Sequence, residues 1–309
     1  MLASLRALLT GIIDYAGLFP PAKLTLDQAI RNYARYRQEA DAWMLGRFVI
    51  PAVRLADLES YGDELFQSEP PFAFTVLGRG GATFTEFLAN LRADLHEIAE
   101  FRKCHGDRVT VDVLEVRLPP DLADPNAMDS TENLWKTMRV FPAVDLLVFC
   151  EAPGRPNGLL MQLAMLPGEG LGFKLRCGGL EASAFPSSQQ IAIALRACLT
   201  AGLPFKATAG LHHPLPRFDA EMKVRMHGFL NVFLAGVLAY VRDLDEEQIR
   251  RILDDENPTH FIFGKRGAKW CNIRVTTAEI VAARSAAVLS FGSCSFEEPR
   301  ADLRALGWL

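Results

Sequence analysis

Two apolar runs in the second half of the sequence resemble each other and flank a helical pattern. Residues 171–179 read LGFKLRCGG and residues 203–214 read LPFKATAGLHHP, so each run places a lysine directly after a phenylalanine. These lysines are Lys174 and Lys206. The segment between the runs carries apolar side chains at helical spacing. A strand, a helix and a second strand form the repeating unit of a parallel sheet, so the sequence predicts an α/β fold.

Strand-like apolar runs alternate with helical patterns through the first 240 residues. Eight such runs cover residues 11–15, 46–51, 72–77, 109–118, 144–151, 172–177, 204–209 and 228–234. Eight is the number of parallel strands that closes a (β/α)8 TIM barrel. Beyond residue 240 we predict a charged helix at 245–253, a loop at 258–270 and a second helix at 277–289. We therefore expect a TIM-barrel domain over residues 1–240 and an α-rich C-terminal extension over 241–309, packed on the barrel.

Helix start signals support this alternation. Thr83 with Glu86 forms a capping-box pattern before an apolar stripe, and Thr25 or Asp27 is predicted to cap a helix over 26–37. The Pro-Ser-Ser sequence at 186–188 starts the helix between the two lysine runs.

Charge and cysteine content exclude several classes of protein. The 309 residues carry a formal net charge of -4, which gives no reason to expect nucleic acid or a membrane surface as a partner. The longest apolar run, 229–240, is too short to span a bilayer, and the first 13 residues lack a signal-peptide pattern. The six cysteines form no C-x-x-C pair, which suits a reducing cytosol and predicts a cytoplasmic protein. A homo-oligomer is compatible with the sequence, which does not fix the oligomeric state.

Polar side chains end many of the otherwise apolar strands. They are Asp14, Arg79, Asp112, Glu115, Arg117, Glu151 and Asn231. Side chains alternate along a strand, so Lys174 shares a face with Arg176, and Lys206 shares a face with Thr208. In a β/α barrel, catalytic groups lie at the carboxyl ends of the strands. Two amines confined in a poorly hydrated cavity cannot both stay protonated, so one is expected to become a nucleophile at neutral pH.

Six segments, in order, resemble the deoxyribose-phosphate aldolase group of class I aldolases. They are IDYAGLFP from Ile13, FVIPAVRLA from Phe48, TVLG from Thr75 with GATFTE from Gly81, VDVLEV from Val111, KLRCG from Lys174 and KATAG from Lys206. The similarity runs from about residue 12 to residue 236. The resemblance implies a β/α barrel that forms a lysine Schiff base with a small carbonyl substrate in carbohydrate metabolism. It implies no metal and no organic cofactor.

The resemblance also implies roles for individual residues. Lys174 aligns with the Schiff-base lysine, and Lys206 aligns with the lysine that lowers its pKa. The acidic proton-transfer residue aligns with Glu115 or Asp112, and we prefer Glu115 because it is nearer the strand end. Candidate substrate-binding residues are Arg176, Thr208, Glu151, His212, Asn231 and Asp14.

Two departures from that group concern the substrate. Leu175 and Arg176 replace small hydroxyl residues, and a third cation at Arg176 would bind an anionic group or depress the pKa of a neighbouring lysine further. The segment at 229–233 has no Gly-Ser phosphate loop, which argues against a sugar phosphate.

Two other functions stay open at this point. Glu115, Glu151, His212 and His227 could bind a divalent metal that polarises a carbonyl. Alternatively, the barrel binds a polar metabolite without catalysis, and its lysines serve as counter-charges.

Overall fold

Eight parallel strands form a closed barrel in a computed structural model of the chain, which describes residues 2–67, 69–123, 132–133, 136–137, 145–152, 160, 163 and 170–309. The barrel strands are β1 (Ile13–Tyr15), β2 (Leu45–Pro51), β3 (Phe72–Leu77), β4 (Val109–Arg117), β5 (Leu147–Glu151), β6 (Leu171–Arg176), β7 (Phe205–Thr208) and β13 (Val288–Ser293). Their order around the barrel is β1, β13, β7, β6, β5, β4, β3, β2. The predicted TIM-barrel fold is confirmed.

The remaining strands form two small antiparallel sheets. One is the hairpin of β8 (Arg217–Asp219) and β9 (Val224–Met226). The other contains β10 (Phe261–Phe263), β11 (Gly267–Trp270) and β12 (Ile273–Thr276) in that order. The prediction of a loop over 258–270 is wrong, because Phe261–Phe263 pair with Ala268–Trp270 in an antiparallel ladder.

The helices of the described chain are α1 (Ala3–Leu9), α2 (Leu26–Tyr36), α3 (Gly62–Leu65), α4 (Phe84–His105), α5 (Pro120–Ala123), α6 (Ser188–Ala201), α7 (Phe229–Arg242), α8 (Glu246–Leu253), α9 (Thr277–Ala286) and α10 (Glu297–Ala305). The predicted starts at Thr25 and Ser187 are confirmed, since each residue caps its helix in a capping box, as Asp245 also does. The Thr83 side chain accepts from the Glu86 N–H, but the Glu86 side chain accepts from the Ala82 N–H, so the predicted capping box is half formed. Among the described residues, no helix has the length and apolar character that crossing a membrane requires.

The chain divides into two compact units. The terminal unit contains residues 1–23, 40–46 and 175–309, and the central unit contains residues 24–39 and 47–174. In the central unit, aromatic rings of β2, β3 and α4 pack together; the Phe74 ring centroid on β3 lies 6.1 Å from that of Phe48 on β2 and 5.4 Å from that of Phe101 on α4. A register shift between β3 and β4 falls at Asp112, which is skipped in the pairing.

In the terminal unit, the segment that we predicted as the eighth strand is a helix. Residues 229–239, which start α7, are buried on all sides. A helix that is apolar all round belongs in a core, and its sequence shows no 3.6-residue period that would distinguish it from a buried strand. The prediction of a strand over 228–234 is therefore wrong.

The strand that closes the barrel is β13, in the segment that we had assigned to an extension. It pairs in parallel with β1 and with β7. The boundary at residue 240 therefore does not separate a complete barrel from an extension. The helix predicted over 277–289 ends at Ala286, and its last residues belong to β13.

Arg284, at the end of α9, ties together the segments that lead into β1 and β13. Its guanidinium donates to the carbonyl oxygens of Leu8 at 2.7 Å and Thr10 at 2.9 Å, and also to those of Val288 and Leu289. Burial lowers the pKa of Arg284 to about 10, partly offset by the charge of Asp14. The side chain thus stays charged at neutral pH and donates to four backbone carbonyl groups.

We predict that Arg284→Met lowers the free energy of unfolding by roughly 3 kcal/mol or more, because several buried carbonyl groups lose their donors at once. Urea denaturation followed by circular dichroism measures the change. Arg92, exposed on α4, is the matched control, and Arg92→Met should stay within about 0.5 kcal/mol of the parent protein. Equal effects of the two substitutions would contradict the role assigned to Arg284.

Candidate functional site

Three strand-end side chains of the central unit form a buried ionic cluster. The Lys174 amine on β6 lies 2.8 Å from Glu115 Oε2 on β4 and 2.7 Å from Glu151 Oε2 on β5. The side chains are 7%, 5% and 6% exposed, respectively. Glu151 and Lys174 are register partners, so pairing of the strands fixes their approach. The structure thus brings together Lys174, Glu115 and Glu151, three polar residues that the sequence places late in strands.

The pKa of Lys174 is raised above the ordinary lysine value. Burial acts to lower it, but the charges of Glu115 and Glu151 and their hydrogen bonds to the amine more than offset that effect. Lys174 is therefore an ammonium ion at rest. The expectation that neighbouring cations hold this amine neutral is wrong for the resting protein, because the two carboxylates in direct contact with it act in the opposite direction.

Asp112, the alternative to Glu115, lies elsewhere on β4. Its carboxylate accepts two hydrogen bonds from Arg47, at 2.7 Å and 2.6 Å, and its side chain is 45% exposed. Asp112 is the residue skipped in the register of β3 and β4, and this bulge changes the alternation of side chains along the strand. Glu115, not Asp112, is consequently the carboxylate of β4 that contacts Lys174.

Lys206 forms a second buried pair, within the terminal unit. Its amine lies 2.6 Å from Asp14 Oδ2, and the same oxygen accepts a hydrogen bond from Ser290 Oγ at 2.8 Å. Lys206 is 1% exposed and Asp14 is fully buried. Asp14 was predicted to bind substrate, and it is the counter-charge of Lys206. Ser290 was missed because it belongs to β13, which the sequence analysis did not recognise as a strand.

Lys174 and Lys206 belong to different compact units. The crowding of the two amines in one cavity therefore stays a prediction.

The turns that follow β6 and β7 approach each other within the terminal unit. The Cys177 N–H donates to the Thr208 carbonyl at 2.8 Å. A Cβ on Gly178 would lie 2.6 Å from the Cα of Gly210, and Gly210 has a φ of +69°. Only glycine fits both conditions at this crossing, so the glycines after the lysines serve backbone packing here. Arg176 lies at the exposed end of β6.

The two adjacent histidines contact carboxylates of α10. His212 Nδ1 lies 3.0 Å from Glu298 Oε2, and His213 Nδ1 lies 2.5 Å from Asp302 Oδ2. The hydrogen bond from His212 lowers the pKa of Glu298, against the effect of burial. Glu298 and Asp302 are one helical turn apart, so the pair of histidines fastens α10. A substrate-binding role for His212 and for Thr208 stays a prediction.

Three other predicted polar residues have structural partners. Asn231 lies on helix α7, and its Nδ2 donates to the carbonyls of Ile252 and Asp255 at 2.7 and 2.8 Å, where it caps the end of α8. Because Asn231 is not on a strand, its predicted place at a strand end is wrong. His227 Nε2 contacts the Pro186 carbonyl at 2.6 Å, and burial lowers the pKa of His227. Arg79 pairs with Asp94 and Glu97 of α4.

We predict that Lys174→Met lowers the free energy of unfolding by about 3–5 kcal/mol, since two buried carboxylates lose the cation between them. In a Glu115→Gln background the same substitution should cost at least about 1 kcal/mol less, because one of those charges is gone. Denaturant unfolding of the two single variants and the double variant measures this coupling.

Asp112→Asn is the control for that cycle, because Asp112 lies on the same strand and pairs with Arg47 instead. Its effect and that of Lys174→Met should add within about 0.5 kcal/mol. Coupling of Lys174 to Asp112 as strong as its coupling to Glu115 would contradict the arrangement described.

No protein-family model and no curated protein matches the chain. Among solved structures, the chain is similar to a 1.8 Å crystal structure described as a "putative deoxyribose-phosphate aldolase from Toxoplasma gondii ME49". The alignment has 9% sequence identity and a TM-score of 0.40, and it covers 98% of this chain and 93% of the other. At this level of similarity the match carries no conclusion about activity.

Proposed function

We propose that the chain is an aldolase-type lyase that acts on a small carbonyl compound through a Schiff base on Lys174. The observation that carries this proposal is the Lys174 amine, buried in contact with the carboxylates of Glu115 and Glu151. An amine nucleophile with an adjacent proton acceptor is the minimum that carbonyl addition requires. The sequence resemblance to class I aldolases, with Lys174 at the Schiff-base position, points to the same chemistry.

The raised pKa of Lys174 requires that its proton move before the amine attacks. Glu115 and Glu151 are both within hydrogen-bonding distance of the ammonium group, so either can accept that proton. The neutral amine then adds to the substrate carbonyl to give a carbinolamine. The carboxylic acid returns its proton to the carbinolamine hydroxyl, which leaves as water. The products are an iminium ion and the original carboxylate.

The same two carboxylates favour the intermediate. The ammonium ion and the iminium ion each carry one positive charge on the same nitrogen, so Schiff-base formation leaves the net charge of the cluster unchanged. Oriented charges that are already in place stabilise a developing cation without reorganisation. The iminium then withdraws electrons from the adjacent carbon and stabilises the carbanion that C–C cleavage produces.

The proposed substrate carries an anionic group that Arg176 binds. Arg176 follows Lys174 by two residues on β6 and therefore shares its face of the strand. In the sequence analysis, a sugar phosphate was disfavoured because residues 229–233 lack a Gly-Ser phosphate loop. These residues form a helix and not the last barrel strand, so that reason no longer applies. The proposed substrate class is thus a small anionic carbonyl compound, with the anion unspecified.

The contacts of Lys174 also fit a competing function, a barrel that binds a polar metabolite without catalysis. A lysine whose pKa is raised by two carboxylates is also what a non-catalytic binding protein would use as a fixed counter-charge. The two functions differ in whether the Lys174 nitrogen forms a covalent bond with a carbonyl compound.

We predict that incubation with small anionic aldehydes and sodium cyanoborohydride attaches one substrate to Lys174. Peptide mapping by mass spectrometry locates the adduct. Lys174→Arg keeps the positive charge and cannot form the iminium, so it should abolish this adduct while the protein remains folded. Lys206, equally buried and paired, serves as the internal control. Adducts confined to exposed lysines such as Lys103 would contradict a catalytic Lys174 and support the binding function.

We predict further that the initial rate of adduct formation at Lys174 is nearly constant between about pH 6 and pH 9. A raised pKa keeps the ammonium form throughout this window, and its proton passes to a carboxylate and not to solvent, so no net proton is lost. Nα-acetyl-lysine with the same aldehyde is the control, and its rate should rise about tenfold per pH unit. A similar rise at Lys174 would rule out internal proton transfer, and an inflection near neutrality would contradict the raised pKa.

A further inference from the structure

A cluster of three potential metal ligands lies on the small sheet of the terminal unit. Ligand atoms of Asp255, His260 and Cys271 all lie within 4.8 Å of one another. None of these residues belongs to the ionic clusters described above.

The hairpin of β10 and β11 sets two of these ligands opposite each other. Phe261 pairs with Trp270, and the next residues outward, His260 and Cys271, continue the ladder through a Cys271 N–H to His260 carbonyl bond of 3.0 Å. Side chains that face each other across an antiparallel ladder have Cβ atoms about 5 Å apart, which is short enough for both to reach one metal ion.

The third ligand, Asp255, is held over the hairpin by hydrogen bonds. Its Oδ2 accepts from Trp270 Nε1 at 2.6 Å and lies 2.8 Å from His260 Nδ1, and its Oδ1 accepts from the Asn257 N–H at 2.9 Å. The Asp255 side chain is 11% exposed and the His260 side chain is 44% exposed. The cluster is therefore oriented, and it is open to solvent on the His260 side.

Cys271 adopts a backbone conformation that is unfavourable for its residue type. Its φ of +49° lies in the left-handed region that glycine and asparagine normally occupy. This conformation turns the chain immediately after β11, at the position opposite His260.

We propose that Asp255, His260 and Cys271 bind a zinc ion, with a water molecule as the fourth ligand. One thiolate, one imidazole and one carboxylate are donors that Zn²⁺ accepts together, and they exclude the oxygen-selecting ions Mg²⁺ and Ca²⁺. Binding displaces the Cys271 thiol proton to solvent, and His260 binds through a neutral ring nitrogen. The Trp270 indole then retains its bond to Asp255 as the outer partner that orients the carboxylate.

Titration of the untagged 309-residue protein with Co²⁺ tests the proposal, because cobalt in a thiolate site gives a near-ultraviolet charge-transfer absorption. We expect this absorption to saturate at one equivalent and to disappear when Zn²⁺ is added. Cys271→Ser should abolish it, and should weaken Zn²⁺ affinity by more than about 100-fold in a competition assay with a chelating dye. Cys104→Ser removes another exposed thiol and should change neither result.

A thermal unfolding measurement gives an independent result. Zn²⁺ bound only to the folded state should raise the melting temperature of the parent protein and of Cys104→Ser, but not that of Cys271→Ser or His260→Gln. Cys271 and His260 are exposed, so these variants should fold without metal. Absence of the charge-transfer absorption in the parent protein, or its persistence in Cys271→Ser, would overturn the zinc site.

Discussion

The pairing of buried ammonium groups with carboxylates is the constraint on which the interior chemistry of this barrel depends. Lys174 and Lys206 are almost completely buried, and each contacts at least one carboxylate within 3 Å. An unpaired buried ammonium ion would cost several kcal/mol, so these contacts are a condition for folding as much as for function. Because all the partners are on barrel strands, strand register sets the contacts.

The two ammonium groups make different contacts. Lys206 pairs with Asp14, whose carboxylate also accepts a hydrogen bond from the Ser290 hydroxyl. Lys174 lies between the carboxylates of Glu115 and Glu151. These two carboxylates both raise the pKa of Lys174 and offer a base for its proton. A strongly held ammonium group is thus compatible with a nucleophilic role, provided that the proton is accepted inside the cluster.

Much of the barrel could be predicted from the sequence, and the errors in the predicted strands have physical causes. Seven strands were placed within a few residues, because short apolar runs bounded by glycine, proline or charged residues have few other folds. The eighth strand was assigned to the wrong segment for two reasons. Helix α7 is apolar on every side, so its sequence lacks the helical period that would have identified it. Strand β13 begins one residue after α9 ends, so the two elements read as one helix. Ser290 was missed for the same reason. At Asp112 and Glu115, a one-residue bulge left two alignments that sequence alone could not separate.

The sign of the pKa shift at Lys174 was beyond the reach of sequence reasoning, and the reason is general. Burial, nearby cations and nearby carboxylates act on the same group with opposite signs, and each contribution depends on contacts of a few ångströms. Sequence order placed Lys174, Arg176 and Lys206 near strand ends, which suggested an excess of positive charge. It did not reveal that two carboxylates reach the Lys174 nitrogen at 2.7 and 2.8 Å. At such distances direct contacts dominate over more remote charges, so the acid–base state of a strand-end lysine follows from its contact partners and not from the number of cations along the chain.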